Sequence, residues 1–206
     1  STAATLFNQF LYSLTEATMR DKLGDSFFDA MLTTRVIDAA LPRLAASPDS
    51  LWWDNRSTAR TETRADTVKV AWQASIAHLK ATLGDDPGQW RWGRAHTLTH
   101  DHPLGRQKPL DWLFNVGPFA APGGHEVPNN LSAKLGNAPW PVSYGPSTRR
   151  LIDFAEPSHG LTINPVGQSG VPFDKHYRDQ AEYDEYLKTL PTSDKPLIGD
   201  LSLAGQ

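Results

Sequence analysis

Apolar residues recur every three to four positions along the N-terminal part of the chain and then lose that rhythm. Leu6, Phe10, Leu14 and Ala17 share one helical face, widened by Phe7 and Leu11, which predicts a helix over 3–23 stopped by Gly24. Ser26 is placed to cap a second helix carrying Phe27, Phe28, Met31, Leu32, Val36 and Ile37 to about Ala40, with Pro42 as its breaker. SPDSLWWDNRST reads as a loop with two tryptophans of the kind that become buried. A third helix starts near Thr61 and carries Val68, Val70, Ala71, Ile76 and Leu79 to Gly84.

Past the DDPG turn the pattern changes. In QWRWGRAHTLTHDHPL, Trp90, Trp92, Ala95 and Leu98 do not keep one strand phase, and a bulge near Gly93 would reconcile them. KPLDWLFNVG predicts a helical turn or two. Residues 117–147 are too rich in Pro, Gly and Asn for regular elements. TRRLIDFAE, with Leu151, Asp153 and Ala155 opposite Ile152 and Phe154, and GLTINPV predict two strands. A last helix is expected over about Asp174 to Leu190. The division is therefore helical over 1–84, strand and loop over 85–173, and terminal helix and tail over 174–206, within one segment spanning 1–206. That order predicts an α+β fold rather than a βαβ alternation.

Composition narrows this. Only 39% of the 206 residues are hydrophobic, which fits either a loop-rich chain or one that shares its core with another chain. Seven tryptophans and eight phenylalanines must nevertheless be covered somewhere. The net charge of -3 is spread without long blocks of one sign, which argues against a nucleic-acid groove or a membrane-binding patch. The absence of cysteine excludes a disulfide framework, a thiolate zinc site and a cysteine nucleophile. No apolar run approaches membrane-spanning length, and no signal peptide is seen. The chain starts without methionine and enters a helical pattern at once, as a processed chain or one cut from a longer protein would.

Four groups bear on chemistry. HTLTHDH places His96, His100 and His102 on one face if the segment is a strand, a trio that zinc would accept, with Asp101 on the other face. The competing reading is polar strand residues hydrogen-bonded to backbone. Ser1 could act as an N-terminal nucleophile with its own α-amino group as base, but it leads into a helix and is better suited to cap it. In NPVGQSGVPFDKHYRDQ, Gly167 and Gly170 allow a tight turn, Gln168 and Ser169 could donate to a ligand, and Asp174 could cap the last helix. Val166 stands where a nucleophile elbow needs glycine, so a strand-to-helix connection is favoured. Arg149, Arg150 and Asp153 make up the fourth group. Arg149 and Asp153 lie four residues apart on one strand face, which points to an ion pair before a substrate-anion site.

STAATLFNQFLYSL…DKLG, WRWGRAHTLTHDHPLG, the PGG of 122–124, YGPSTRRLIDF and above all GQSGVPFDKHYRDQ together resemble the C-terminal part of the β chain in the penicillin acylase family. These are N-terminal-nucleophile amidohydrolases related to acyl-homoserine lactone acylases. The likeness runs from about Ser1 to about Tyr186 and rests on the order and spacing of the motifs.

The resemblance implies an αββα sandwich to which this segment adds strands and peripheral helices. It implies a parent enzyme that cleaves the acyl amide of β-lactams or N-acyl-homoserine lactones, with GQSG leaning toward the β-lactam acylases. The family's nucleophilic serine, usually followed by asparagine, its oxyanion asparagine and its calcium ligands fall upstream. Here Ser1 is followed by Thr2, Ala3 and Ala4. No catalytic or metal residue is therefore assigned to this chain, and the chain alone is expected to be inactive. His96 and His102 fall where the family's histidines look structural. The resemblance further implies other chains of a processed acylase as partners, no cofactor held by this segment, and a periplasmic or secreted location. A non-catalytic binding module and a metallohydrolase built on His96, His100 and His102 are the alternatives.

Overall fold

The computed structural model describes residues 1–155, 159–163, 165–181 and 200–202. The fold is α+β. Its chain divides into two compact units, residues 1–98 with 119–144, and residues 99–118 with 145–206.

The first unit begins with α1, Thr2–Leu32, whose N-terminus is capped by Ser1: the Ser1 hydroxyl accepts the Ala4 N–H at 3.3 Å. Gly24 breaks the helix. Its φ of 73° and ψ of 162° lie outside helical space, so the expected stop is a kink between two helical stretches. The helix expected over 26–40 is itself divided. Thr33 and Thr34 turn the chain back onto the carbonyls of Ala30 and Met31, and α2 then runs Val36–Ala45 with Pro42 inside it. α3, Arg64–Leu83, follows the expectation closely. Thr63 and Asp66 form a reciprocal capping box, and Gly84 ends the helix at a φ of 97°.

α3 buries Thr67, Ala71, Ser75 and Leu79, one residue per turn, and packs on α1, where Phe10 meets Trp72 edge to face. The buried face of α1 is not the expected apolar stripe. Thr5, Gln9, Ser13, Thr15 and Thr18 are buried beside Tyr12, Leu14 and Met19, while Phe7 faces solvent. Threonine hydroxyls are tolerated there because they return to the helix itself: Thr15 donates to the Leu11 carbonyl at 2.7 Å and Thr18 to that of Leu14 at 2.8 Å. Of the two tryptophans in the 47–58 loop, Trp53 is buried and donates to the Ser47 carbonyl, whereas Trp52 is exposed.

No bulged strand forms at Gly93. A single helical turn, α4 at Trp92–Ala95, changes the phase between buried Trp90 and buried Ala95 before β1, His96–His100, begins. Residues 117–147 also hold more regular structure than their composition predicts: β2 at Val116–Ala120, β3 at Ser132–Ala133 and β4 at Trp140–Tyr144. The sheet order is β2-β1-β4-β3. β1 runs parallel to β4 with His96 opposite Trp140, and β3 runs antiparallel to β4. Composition misleads here because a two-residue strand needs only backbone partners and an edge to pair with. β1 and β2 each pass from one unit into the other.

The second unit holds the helical turn α5, Asp111–Phe114, and an antiparallel meander of β5, Arg149–Ile152, β6, His159–Ile163, and β7, Asp200–Ser202. β5 and β6 match the two expected strands. The terminal helix is not present over 174–181, where the chain makes successive turns. Backbone groups that a helix would use are engaged elsewhere: the Asp174 carboxylate accepts the His176 N–H, the His176 carbonyl accepts from Ser169, and the Val166 carbonyl accepts from Gln180. The rest of that expected helix, 182–190, lies outside the described residues. No helix among the described residues is long and apolar enough to cross a membrane.

Candidate functional site

The histidine trio of the metallohydrolase alternative, His96, His100 and His102, is not brought together as a ligand group among the described residues. His96 is completely buried at the start of β1. His102 lies beyond the strand and caps the turn at 103–106, its Nδ1 accepting the Leu104 N–H at 3.1 Å while its ring stacks on Phe114. Strand geometry therefore does not govern His102, because the Asp101–His102–Pro103 corner ends the pairing. Among the described residues, the group whose metal-ligating atoms converge, to within 4.8 Å, is a different one: Asp38, His125 and Glu126. These side chains are exposed and already answer one another. His125 Nε2 lies 3.0 Å from the Asp38 carboxylate, and the Arg35 guanidinium pairs with Glu126.

The other sequence candidates have local roles. Ser1 is a cap. Asp153 stands just past β5 and accepts the Ala155 N–H at 2.9 Å. Gly167 sits where a side chain would overlap the carbonyl of His176, and Ser169 Oγ accepts the Val171 N–H. Asp174 makes an Asx turn instead of a helix cap. Nearby, His176 Nδ1 pairs with Asp179 at 2.7 Å and the buried Tyr177 donates to the Phe114 carbonyl at 2.6 Å.

A further cluster of interlocking side chains lies in the first unit, around Trp92, His96 and Trp140. Trp92 stacks on Trp140 at a centroid distance of 5.5 Å and on His96 at 4.6 Å. Both indoles are anchored by N–H donation, Trp92 to the Gly123 carbonyl at 3.0 Å and Trp140 to the Gly136 carbonyl at 2.8 Å. His96 Nδ1 lies 2.8 Å from the Trp140 carbonyl, an acceptor only, so that nitrogen carries the proton. Its Nε2 makes no hydrogen bond of normal geometry among the described residues. Burial is the largest influence on this imidazole and lowers its pKa below the usual 6.5, against the smaller opposing pull of the Trp140 and Leu131 carbonyls.

Beside this stack is a cavity of about 300 Å³ whose apolar walls are Leu11, Leu32, Ile37, Leu135, Trp92 and Trp140. Arg35, Asp38, His125 and Lys134 also line it. Gly124 and His125 of the loop 121–131 line it too. That loop is fastened by the Trp92 bond, by a Gly124 to Asn129 backbone bond and by donation from Asn129 to the Pro122 carbonyl. Elsewhere in the first unit, Gln9 donates to Asn137 at 2.6 Å and accepts the Ala138 N–H at 3.0 Å. His78 adds a contact to the Ala138 carbonyl at 2.9 Å. Gln9, His78, Asp38 and His125 carried no sequence signal, since each gains its role from a partner 60 to 129 positions away.

Residues 1–193 match the Penicillin amidase family, and the chain belongs to it. It is 29% identical over 182 residues to the acyl-homoserine lactone acylase QuiP of Pseudomonas fluorescens, a match covering 86% of this chain and 22% of that protein. It is 30% identical over 190 residues to the protein of the same name from Pseudomonas putida, covering 87% and 22%. With that from Pseudomonas aeruginosa the identity is 24% over 196 residues, covering 87% and 23%. The chain thus spans less than a quarter of the length of the relatives it matches.

Proposed function

We propose that this member of the penicillin amidase family is a scaffold segment of an acylase that hydrolyses the amide of N-acyl-homoserine lactones. The observation that carries the reading is the family match over 1–193, joined to relatives that are named for that substrate. Those relatives favour the lactone over the β-lactam toward which GQSG leaned.

In this reading a serine at the N-terminus of a processed chain attacks the acyl carbonyl, the homoserine lactone amine leaves, and water releases the acid from the acyl-enzyme. Oxyanion donors stabilise the negative charge that develops on the carbonyl oxygen. The nucleophile, the oxyanion donors and any structural calcium belong to sequence outside these 206 residues. The chain's own contribution is to the packing of an αββα sandwich shared with the other processed chains. Its buried, hydrogen-bonded tryptophans and braced loops suit that role. A periplasmic or secreted location belongs to the same reading.

The experiment compares the complete acylase with the 206-residue chain on N-decanoyl-homoserine lactone, with penicillin G as the competing substrate. Lactone turnover by the complete enzyme and none by the isolated chain is the expected outcome. Turnover by the isolated chain, or a complete enzyme active only on penicillin G, would overturn the reading.

A further inference from the structure

Over residues 1–15 the helix α1 shows its faces partly in reverse. Thr5, Gln9, Ser13 and Thr15 are buried beside Tyr12 and Leu14, while Ala3 and Phe7 face solvent and Phe10, one turn beyond Phe7, is half-buried. A surface helix of a self-contained protein turns its polar residues to water and its apolar ones inward. The helix α3 extends the exposed apolar face. Trp72 meets Phe10 edge to face at a centroid distance of 5.9 Å, and Phe7 and Trp72 keep 62% and 46% of their surfaces open.

Charge points the same way. Residues 1–15 contain no Asp, Glu, Lys or Arg, and neither do residues 70–79 of α3. The same helices carry charge just beyond those stretches, with Glu16, Arg20 and Asp21 in α1 and Lys69 and Lys80 in α3. Loss of charged side chains where aromatic ones gather marks the water-excluding centre of a protein interface. A helix lying on a lipid surface would instead set Lys or Arg beside its apolar stripe, and these stretches hold none.

We propose that the α1–α3 face built on Ala3, Phe7, Phe10 and Trp72 docks against an apolar, uncharged surface of the acylase's own sequence outside these 206 residues. The inference rests on the reading above, in which this segment shares its packing with other processed chains, and it assigns the face that is shared. The occupant follows from size. The matches cover 22–23% of the relatives' length, so an enzyme of that length has most of its sequence left to cover this face.

The test is photo-cross-linking of the complete acylase carrying Phe7→p-benzoylphenylalanine, with the joined peptides identified by mass spectrometry. A cross-link to acylase sequence outside residues 1–206 is the expected result. Cross-links only within 1–206, a covalent dimer of two acylase copies, or transfer to added phosphatidylglycerol vesicles would overturn the proposal. Where the larger side chain prevents assembly or no cross-link forms, hydroxyl-radical footprinting of the unmodified enzyme decides. Phe7 and Trp72 are expected to be oxidised at least about fivefold more slowly in the folded enzyme than in its urea-unfolded form, as at a water-excluding interface core. Oxidation at roughly half the unfolded rate, which exposures of 62% and 46% alone would give, would overturn the proposal. Lactone hydrolysis by the same enzyme tests the amidase reading separately. An active enzyme with this face open sinks only the docking assignment, and a covered face without turnover sinks only the amidase.

Discussion

The helix α1 and the segment 165–181 reach fixed conformations by opposite means. α1 is a long regular helix whose buried face is full of hydroxyls and an amide, and it is held because each polar group finds a partner on the helix or across the unit. Segment 165–181 has no regular element, yet its backbone is closed onto itself at Ser169–His176 and Val166–Gln180 and leaves no space at Gly167. Periodicity of the backbone and burial of apolar surface are therefore separable here. The regular element depends on side-chain hydrogen bonds across its buried face, and the irregular one adds backbone closure and the absence of a side chain at Gly167 to the side-chain bonds of Ser169, Asp174, His176 and Tyr177.

Four substitutions or conditions probe this contrast. Gly167→Ala has the largest expected effect, a loss of about 3 kcal/mol in urea unfolding, because its methyl group would overlap rigid backbone rather than a movable side chain. A loss near the few tenths expected of a surface change would show that the loop gives way and is not locked. Gln9→Ala should follow at about 2 kcal/mol, since it leaves the buried Ala138 N–H without its acceptor. If Gln9→Ala proves neutral, the polar face of α1 contributes nothing beyond its apolar neighbours. Tyr177→Phe removes only the bond to the Phe114 carbonyl and is expected to cost about 1 kcal/mol. Measured beside Gly167→Ala, it separates side-chain from backbone closure in the second unit.

The smallest effect is a pH dependence. Burial holds His96 below the usual histidine pKa of 6.5, so the unfolded chain binds the proton more readily. The His96 contribution is complete above that value and declines as pH falls from 6.5 toward the folded pKa. Melting temperatures from pH 8 to pH 5 should therefore fall more for wild type than for His96→Asn. Parallel curves would mean that His96 is not held neutral by its surroundings.

Much of the fold was legible where apolar period and caps agreed. α3 shows this best, with Thr63 and Asp66 at one end and Gly84 at the other. Gly24 and the strands β5 and β6 were also readable. The turn at 33–35 was hidden because Thr33 and Thr34 fit a helical pattern equally well, and their hydroxyl bonds to Ala30 and Met31 decide otherwise. Over 174–181 the expected helix does not form, because local propensity there competes with backbone partners at 166 and 169.

The site was least legible. Trp92, His96 and Trp140 are visible as residue types, but their stack requires a parallel pairing across 44 positions. Asp38 and His125 meet across 87 positions, and neither lies in a motif. The family resemblance, in contrast, was readable because it rests on the order of segments along the chain and needs no contact between them.

The polar face of α1 has a consequence for how the chain is made. Gln9 leaves the ribosome 128 residues before Asn137, its partner. At synthesis rates of ~5–20 residues per second, that face waits roughly 6 to 26 seconds for its permanent neighbour. An all-leucine surface would spend that interval inviting aggregation or chaperone capture. Threonine, serine and glutamine are at ease in water while they wait, and only the arrival of residues 137 and 138 turns their hydration into structure.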